Sequence, residues 1–386
     1  MYEETLSRIR RFIESRPEDS AAYGDYFDIV RAMWEADREH AFKHDLWLRN
    51  ATALKVKETE DANAVLKFFE INKKTYLLAA KDDFDSYCVY LEWNRDKTKR
   101  FYVPRRATLR PLVQDLQELN DGELDFLGVS LPPRVGKSTL CIFFMTWIMG
   151  KRPEVANVMS GHSDKLTDGF YRETMNILTD AETYSWADVF PDVKVVDNSA
   201  KNETIDLERK KRFPTFTARS VGGTLTGAVE VGTGGCLYVD DLIEDLEESL
   251  NPVRLQAKYD AYLNQLKDRK KDGAFELMVG TRWNVADPLG RIQEQYEGNP
   301  RYRFRVIPAL NEKGESNFNY QYGLGFSTEY YKDMKASIDD ATWCAKYQGK
   351  PYVREGLLFP AESLRYYNGV LPEDDFYKTA VCDVAW

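Results

Sequence analysis

Cysteine and histidine are scarce in this sequence of 386 residues, which has five cysteines and three histidines. The cysteines lie far apart and form no CxxC pair, so free thiols in a reducing compartment are expected, and a disulfide framework or zinc ribbon is not. His40 and His44 stand four residues apart on a predicted helix, a spacing that could hold a metal. No cysteine or third histidine lies nearby, and ordinary surface or packed histidines are therefore favoured.

Long apolar runs and an excess of positive charge are also lacking. No run approaches the ~20 residues that a membrane-spanning helix needs, and the charged N-terminus has no apolar signal-peptide core. The sequence thus predicts an intracellular protein with no membrane partner. Its formal net charge is −10, whereas proteins that clamp nucleic acid statically are usually basic. A motor that touches nucleic acid through local basic patches remains compatible with this charge.

Two regions with different hydrophobic patterns divide the chain. Residues 1–95 have apolar residues at helical spacing and predict an accessory helical region or, alternatively, a partner-docking surface. Tyr26 to Leu46 and Ala62 to Phe69 are among the helices expected there. From residue 96 to 355, short apolar strands alternate with helical patterns, which is typical of an α/β fold with a mostly parallel sheet flanked by helices. The strands expected in this region are 126–130, 155–160, 236–239, 276–279 and 302–310.

The strongest motif is Ser130-Leu-Pro-Pro-Arg-Val-Gly-Lys-Ser-Thr139, between a predicted strand and a predicted helix. It matches the P-loop pattern GxxxxGK[ST], except that Leu131 stands at the first glycine. The backbone N–H groups and the helix N-terminus of such a loop bind phosphate. Gly136 lets the backbone approach the phosphates, Lys137 bridges the terminal ones, and the Ser138 hydroxyl ligates Mg²⁺. The residues expected to bind the nucleotide are Pro133, Arg134, Val135, Gly136, Lys137, Ser138 and Thr139.

Two aspartates end a second buried strand, about 100 residues further on, in Gly235-Cys-Leu-Tyr-Val-Asp-Asp-Leu-Ile-Glu-Asp245. Ligands of open parallel sheets bind at the carboxyl edge, where these side chains are expected. Asp240 is predicted to hold Mg²⁺ opposite Ser138, and Asp241 to orient or deprotonate the attacking water. An aspartate reaches one methylene less far than a glutamate, and Glu244 and Asp245 are the alternatives for the second role.

Two further polar groups have predicted catalytic roles. Thr281 follows a third strand, and a polar residue at such a strand tip can sense the terminal phosphate. Arg134 lies inside the phosphate loop, where its guanidinium can reach phosphate oxygens bidentately. A ring motor could also use an arginine finger from a neighbouring subunit, for which Arg219 and Arg282 are candidates. Arg282, next to Thr281, is expected to be exposed.

Other segments have less specific signals. Phe213 to Gly227 is rich in glycine and is interpreted as a tight loop. The basic cluster before it, Arg209 to Arg212, could touch DNA phosphate, with solvated hairpin charge as the alternative. Lys267 to Lys271 is interpreted in the same way. The candidates for adenine contacts are Tyr102, Arg105 and Gln114.

Taken in order, the motifs PPRVGKST, GGTLTG, LYVDDLIED and VGTRW resemble the large terminase subunit of tailed bacteriophages. The later segment WCAKYQGKP resembles the stretch that joins motor and nuclease in that family. The resemblance covers about Tyr102 to Trp386 and is specific as an ordered set, whereas each motif alone is weak. It implies a RecA-like ATPase domain followed by an RNase H-like nuclease, and ATP-driven packaging of double-stranded DNA into a procapsid.

The resemblance also implies residue roles and partners. Arg134 falls in the arginine-bearing phosphate loop of the family, and Thr281 and Arg282 fall in its coupling motif. Asp383 matches the first metal-binding aspartate of the nuclease, so residues 356–386 are expected to be a linker and the truncated start of that domain. A two-metal nuclease needs several carboxylates, and the others would lie further along, so no DNA cleavage by this chain alone is expected.

The cofactors that the resemblance implies are ATP and Mg²⁺. Its implied partners are double-stranded DNA, the portal ring, the small terminase subunit and further copies of the chain in a homo-oligomeric ring. The implied location is the cytoplasm of the infected bacterial host, and not the mature virion. Two other functions remain open: a helicase or other DNA-translocating ATPase, and a nucleotide-gated binding module that hydrolyses little.

Overall fold

A computed structural model describes residues 2–223 and 229–352 of the protein, beginning with four helices that pack on one another. Their shared apolar core includes Leu6, Tyr26, Leu48 and Phe68, which are all nearly inaccessible to solvent. The helices are α1 (Tyr2–Ser15), α2 (Ser20–Ala36), α3 (Arg38–Glu58) and α4 (Ala62–Ala80).

The single helix predicted from Tyr26 to Leu46 is wrong, because the chain breaks at Asp37. The N–H of Asp37 donates to the carbonyl of Met33 and ends α2, while its carboxylate accepts the N–H of His40 at 3.2 Å and caps α3. A side chain that accepts a hydrogen bond from one of the first free N–H groups is an N-cap, and it favours the start of a helix. The apolar spacing continues across the break, which explains why periodicity alone did not reveal it.

Gly24 lies inside α2, where a glycine weakens a helix through its backbone freedom. A Cβ at this position would have no atom within 4 Å, so we expect Gly24→Ala to raise the free energy of unfolding by about 0.5–1 kcal/mol. Urea titration measures this change. Gly150→Ala is the matched control, because its Cβ would lie 2.4 Å from the Phe190 ring and should destabilise the protein. A lower stability of Gly24→Ala would contradict the prediction.

Ten more helices follow, in and around a sheet. Within the described residues, no helix combines the length and the apolar character that crossing a bilayer requires. The helices are α5 (Phe84–Leu91), α6 (Tyr102–Asn120), α7 (Lys137–Lys151), α8 (Asp164–Thr179), α9 (Trp186–Val189), α10 (Leu246–Ser249), α11 (Pro252–Ala261), α12 (Pro288–Gln295), α13 (Thr328–Ser337) and α14 (Asp340–Lys346). A π-turn at Tyr262–Leu266 and short 3₁₀ turns at Lys267–Arg269 and Gln321–Gly323 complete the helical segments.

Helix α7 is the centre of the main apolar core, because it is apolar around its whole circumference and buried on all sides. On one side, the Phe84 ring of α5 packs against Phe144 and Trp147 at centroid distances of 5.4 and 5.1 Å. On another, Phe144 packs against Phe275 of the sheet at 6.3 Å. This packing fixes the start of α7, where the phosphate loop ends.

The sheet has eight strands in the order β3-β4-β5-β2-β6-β7-β1-β8. The six from β5 to β8 in this order are parallel, and β3 and β4 are antiparallel to their neighbours. This arrangement confirms the predicted α/β fold with a mostly parallel sheet flanked by helices. The strands are β1 (Phe126–Ser130), β2 (Asn157–Gly161), β3 (Val195–Ser199), β4 (Thr204–Leu207), β5 (Phe216–Ser220), β6 (Cys236–Asp240), β7 (Phe275–Val279) and β8 (Tyr302–Val306).

Two details of the sheet differ from the prediction. The segment interpreted as a glycine loop contains the almost fully buried strand β5, and the glycines begin only after it, at Gly222. Strand β8 ends at Val306 and does not reach Leu310, because Pro308 has no N–H to extend the ladder. The predicted nuclease start lies outside the described residues.

Candidate active site

The phosphate loop connects β1 to α7, and two of its own apolar side chains anchor it in the main core. Leu131 and Val135 are buried in the main core, so the position of the missing first glycine is filled by a packing residue. Gly136 has a φ of +98° and directly precedes α7. A Cβ there would lie 2.2 Å from the ring of Phe101, so this position requires glycine for both conformation and space.

Lys137 lies at the centre of the site and is only 8% exposed. Its Nζ lies 2.9 Å from Oδ2 of Asp241 and 3.2 Å from the hydroxyl of Thr281. Burial would lower the pKa of Lys137, but the charges of Asp241 and Asp240 outweigh burial and hold that pKa above its usual value. The lysine is therefore a permanent cation at the carboxyl edge of the sheet.

Asp240 and Ser138 face each other across this edge, with Oδ2 of Asp240 accepting from the Ser138 hydroxyl at 3.0 Å. The second carboxylate oxygen of Asp240 is buried and receives no hydrogen bond of good geometry among the described residues, although the Tyr238 hydroxyl lies close to this carboxylate. Burial raises the pKa of Asp240, and so does the charge of Asp241; Lys137 opposes them only in part, and the pKa lies at about 6. A buried carboxylate oxygen without a partner, beside a hydroxyl, suits a hard cation such as Mg²⁺.

We expect Asp240→Ala to weaken the Mg²⁺-dependent binding of ATP by roughly 10–100-fold, because it removes the predicted oxygen ligand of the cation. Titration with a fluorescent ATP analogue, with Mg²⁺ and with EDTA, measures this effect. Binding in EDTA should change much less, which separates loss of the cation from damage to the loop. Equal affinity of variant and wild type for Mg-ATP would remove Asp240 from the metal site.

Asp241 is held in an unusual backbone conformation, with a φ of +40°. Its N–H donates to the carbonyl of Val279 at 2.9 Å, and its Oδ1 accepts the N–H of Thr281 at 2.8 Å. Next to it, a cavity of about 20 Å³ has Asp241, Thr281 and Asp287 as its polar lining, and the rest of its lining is apolar or glycine. That volume is sufficient for one water molecule. Strand β7, which leads to Thr281, lies between β1, which leads to Lys137, and β6, which leads to Asp240 and Asp241.

The remaining predicted site residues lie at the rim. Arg134 has a φ of +64° and an exposed side chain, and Pro133 and Thr139 are partly exposed. Glu244 is also exposed, and its N–H donates to the carboxylate of Glu248 at 2.9 Å. The structure therefore places Asp241, and not Glu244, beside Lys137. Asp383 lies outside the described residues.

The prediction that Arg282 is exposed is wrong. Its side chain is 7% exposed, and its Nε donates to the buried carboxylate of Asp287 at 3.1 Å. Asp287 also caps α12 through the N–H of Gly290 at 2.7 Å, so the arginine is tied to a helix start. A guanidinium held in this way cannot reach into a neighbouring subunit. Arg219, on β5, is partly exposed and remains a candidate for that role.

One predicted adenine contact is also wrong, because Tyr102 is fully buried and its hydroxyl donates to Asp85 at 2.5 Å. The neighbouring Phe101 lies against Gly136, and the guanidinium of Arg105 lies between the rings of Phe101 and Tyr320 at 5.0 and 5.2 Å. Sequence reasoning missed Phe101, since nothing in the local pattern ties it to a loop 35 residues later.

Each of the two basic clusters has part of its charge paired within the chain. The Nζ of Lys211 donates to the carbonyl of Pro153 at 2.6 Å, and that of Lys210 pairs with Asp197 at 2.8 Å. In the second cluster, Lys270 pairs with Glu276 at 2.6 Å and Lys271 with Glu230 at 2.8 Å. The paired lysines are thus structural or solvated charge, whereas Arg209 and Arg212 are exposed and have no ion pair among the described residues, so the DNA-contact interpretation of the first cluster stays a prediction.

The two helix histidines have separate partners, which agrees with the favoured interpretation. His40 bonds Asp37 at 2.8 Å, whereas His44 lies between the hydroxyl of Tyr26 and the carboxylate of Glu3. A histidine that the motifs did not single out, His162, lies in the site instead, with Nδ1 2.8 Å from the main-chain oxygen of Asp241. Its position directly after a parallel strand was the available signal.

Comparison with known proteins gives distant structural similarities only. No protein-family model and no curated protein sequence matches the chain. The ATPase domain of the large terminase of Thermus phage P74-26 is similar, with 12% identity and a TM-score of 0.39 over 59% of this chain and 90% of that chain. The large terminase of bacteriophage HK97 is similar with 13% identity and a TM-score of 0.36.

The second similarity spans 52% of this chain and 40% of the HK97 protein. Both neighbours are phage large terminases, the family that the ordered motifs resemble. At these identities and TM-scores the likeness is remote, and the residue roles depend on the contacts within this chain.

Proposed function

We propose that this protein is a Mg²⁺-dependent ATPase that drives translocation of double-stranded DNA, as the motor of a large terminase. The observation that carries the ATPase proposal is the meeting of Lys137, Ser138, Asp240, Asp241 and Thr281 at one edge of the sheet. They come from three separate segments, and a packed core alone does not require a buried lysine between carboxylates and a hydroxyl.

Each residue has a chemical task in this proposal. Ser138 and Asp240 would hold Mg²⁺, which neutralises charge on the phosphates when it is bound. Lys137 binds the terminal phosphates, and the N–H groups at the start of α7 bind those behind them. Asp241 is close enough to the small cavity to accept a hydrogen bond from a water there.

The contact between Lys137 and Asp241 also suggests an order of events. The lysine can make few strong contacts at once, so a terminal phosphate competes with Asp241 for its Nζ. Once the phosphate binds Lys137, the Asp241 carboxylate is available to the attacking water. Thr281 donates its N–H to the same carboxylate and lies two residues after the end of β7, so it can pass the change on to the chain after the strand.

The DNA-packaging part of the proposal rests on the ordered motifs described above. It includes double-stranded DNA, a portal ring, a small terminase subunit and a homo-oligomeric ring as partners, and the cytoplasm of an infected bacterium as the location. The net charge of −10 suits a motor with transient DNA contacts better than a static clamp.

The test measures phosphate release by the full chain with Mg-ATP, with and without blunt double-stranded DNA, and with Lys137→Ala as the inactive control. Displacement of a third strand from a triplex reports translocation, and separation of a labelled duplex reports unwinding. Phosphate release with triplex displacement and no unwinding supports the proposal. Unwinding of the duplex would identify a helicase, and absence of phosphate release in the presence of DNA and partner proteins would identify a binding module.

A further inference from the structure

His162, which lies outside the predicted motifs, contacts Asp241, the residue that orients the attacking water in the proposed function. His162 directly follows β2, and its Nδ1 lies 2.8 Å from the main-chain oxygen of Asp241. A carbonyl oxygen can only accept a hydrogen bond, so the ring must carry a proton on Nδ1. We propose that His162 is a positioning residue that holds the main chain, and through it the carboxylate, of Asp241 for hydrolysis. This inference rests on the proposed function and adds a residue to it.

Asp241 needs such support because its φ of +40° is unfavourable for a residue with a Cβ. A non-glycine residue in the left-handed region is strained and persists only where its surroundings impose it. The N–H of Asp241 is bound to Val279 at 2.9 Å, and its carbonyl is bound to His162. The residue is therefore held at both of its peptide groups, and His162 supplies one of the two contacts.

The direction of the Asp241 carboxylate depends on this backbone conformation. The carboxylate lies 2.9 Å from Nζ of Lys137 and accepts the N–H of Thr281 at 2.8 Å. Relaxation of φ towards ordinary negative values would turn the Cα–Cβ bond and carry the carboxylate away from both partners. A displacement of about 1 Å at a reacting group can cost about 100-fold in rate.

His162 itself lies at the end of the central part of the sheet. Gly161, one residue earlier, is in register with Asp240 on β6 and with Ser220 on β5. A Cβ on Gly161 would lie 3.0 Å from the main-chain oxygen of Asp240, so the two strands approach closely here. Two residues after the histidine, Asp164 accepts from the hydroxyl of Ser220 at 2.5 Å. Strands and the start of α8 thus fix His162 on both sides.

The proton position gives a test that is independent of activity. The full chain has three histidines, so ¹⁵N-correlated NMR of the imidazole rings resolves each of them. At pH 8 we expect His162 to carry its proton on Nδ1. His44 is an internal control with the opposite tautomer, because its Nε2 lies 3.1 Å from a Glu3 carboxylate oxygen and its Nδ1 lies 2.7 Å from the Tyr26 hydroxyl. A proton on Nε2 alone of His162 would overturn the proposal.

The kinetic test compares three substitutions at one position. Asparagine can place an N–H close to the position of Nδ1, glutamine places it near Nε2, and alanine removes it. We expect His162→Ala and His162→Gln to lower kcat about tenfold with KM changed less than about twofold, and His162→Asn to recover most of the loss. His40→Ala, a change at an exposed ring, is the control and should leave kcat unchanged.

Thermal unfolding of the same variants separates positioning from a general structural role. A kcat of His162→Ala equal to that of the wild type would refute the proposal, and so would His162→Asn being as slow as His162→Ala. A common fall in kcat, affinity and unfolding temperature in all three variants would also refute it. If the wild type releases no phosphate, the proposed ATPase fails, and the NMR result then decides alone whether His162 holds the Asp241 carbonyl.

Discussion

Lys137→Ala should lower the rate of ATP hydrolysis by about 1000-fold or more, because it removes the buried cation at the centre of the site. In the reaction, negative charge grows on the oxygens of the transferred phosphoryl group, and a pre-placed ammonium stabilises that charge without solvent rearrangement. A loss of this size corresponds to about 4 kcal/mol of transition-state stabilisation. Steady-state phosphate release at saturating Mg-ATP measures it.

The control for this prediction is Lys165→Ala, which removes an exposed lysine from α8 and should leave hydrolysis unchanged. Stability must be measured alongside, since losing Lys137 leaves Asp240 and Asp241 without their cation. The double variant Lys137→Ala/Asp241→Asn removes one of these two charges and should regain part of the lost stability without regaining activity. Hydrolysis by Lys137→Ala within tenfold of the wild type would mean that the phosphate loop is not the catalytic site.

The sequence was sufficient to predict the parts of the site that depend on local pattern. An apolar strand, a glycine and a lysine at a helix start lie within twelve residues, Phe126 to Lys137, and a strand ending in two aspartates is equally local. Parallel strands place their carboxyl ends at one edge, so the fold class predicted that Ser138 and Asp240 lie on the same edge of the sheet. Their direct contact, and the position of Thr281 after the strand between β1 and β6, depend on the strand order, which the sequence did not predict.

The parts that sequence could not predict depend on contacts between distant segments or on burial. Strand β5 carries Thr217 and Arg219 and looks like a polar loop, and only pairing with β2 and β4 makes it a strand. The exposure of Arg282 could not be derived from its place after a strand, because Asp287 folds back to meet it. The contact of Phe101 with Gly136 likewise depends on where α6 begins.

The pairing of Lys137 with Asp241 helps to decide which carboxylate orients the attacking water. Asp240 is completely buried, and one of its oxygens accepts a hydrogen bond from Ser138, the other predicted Mg²⁺ ligand. Asp241 is partly exposed, lies beside the small cavity, and is held by an N–H from Thr281. Asp240 and Asp241 thus lie in different surroundings, and such a difference allows two neighbouring carboxylates to have separate catalytic roles.

Asp241→Asn should therefore lower kcat by about 100–1000-fold while changing the affinity for Mg-ATP only a few-fold, because the amide keeps the size of the side chain but cannot take a proton from water. Glu244→Gln, the same chemical change at an exposed carboxylate four positions after Asp240, should keep kcat within about threefold of the wild type. Single-turnover hydrolysis with bound nucleotide measures the chemical step directly and excludes product release as the cause. If Glu244→Gln were inactive and Asp241→Asn active, the residue that orients the attacking water would be Glu244. In that case the loop after β6 would have to close over the nucleotide. Because both variants lose one negative charge, a difference between them reflects the position of the carboxylate and not the charge of the chain.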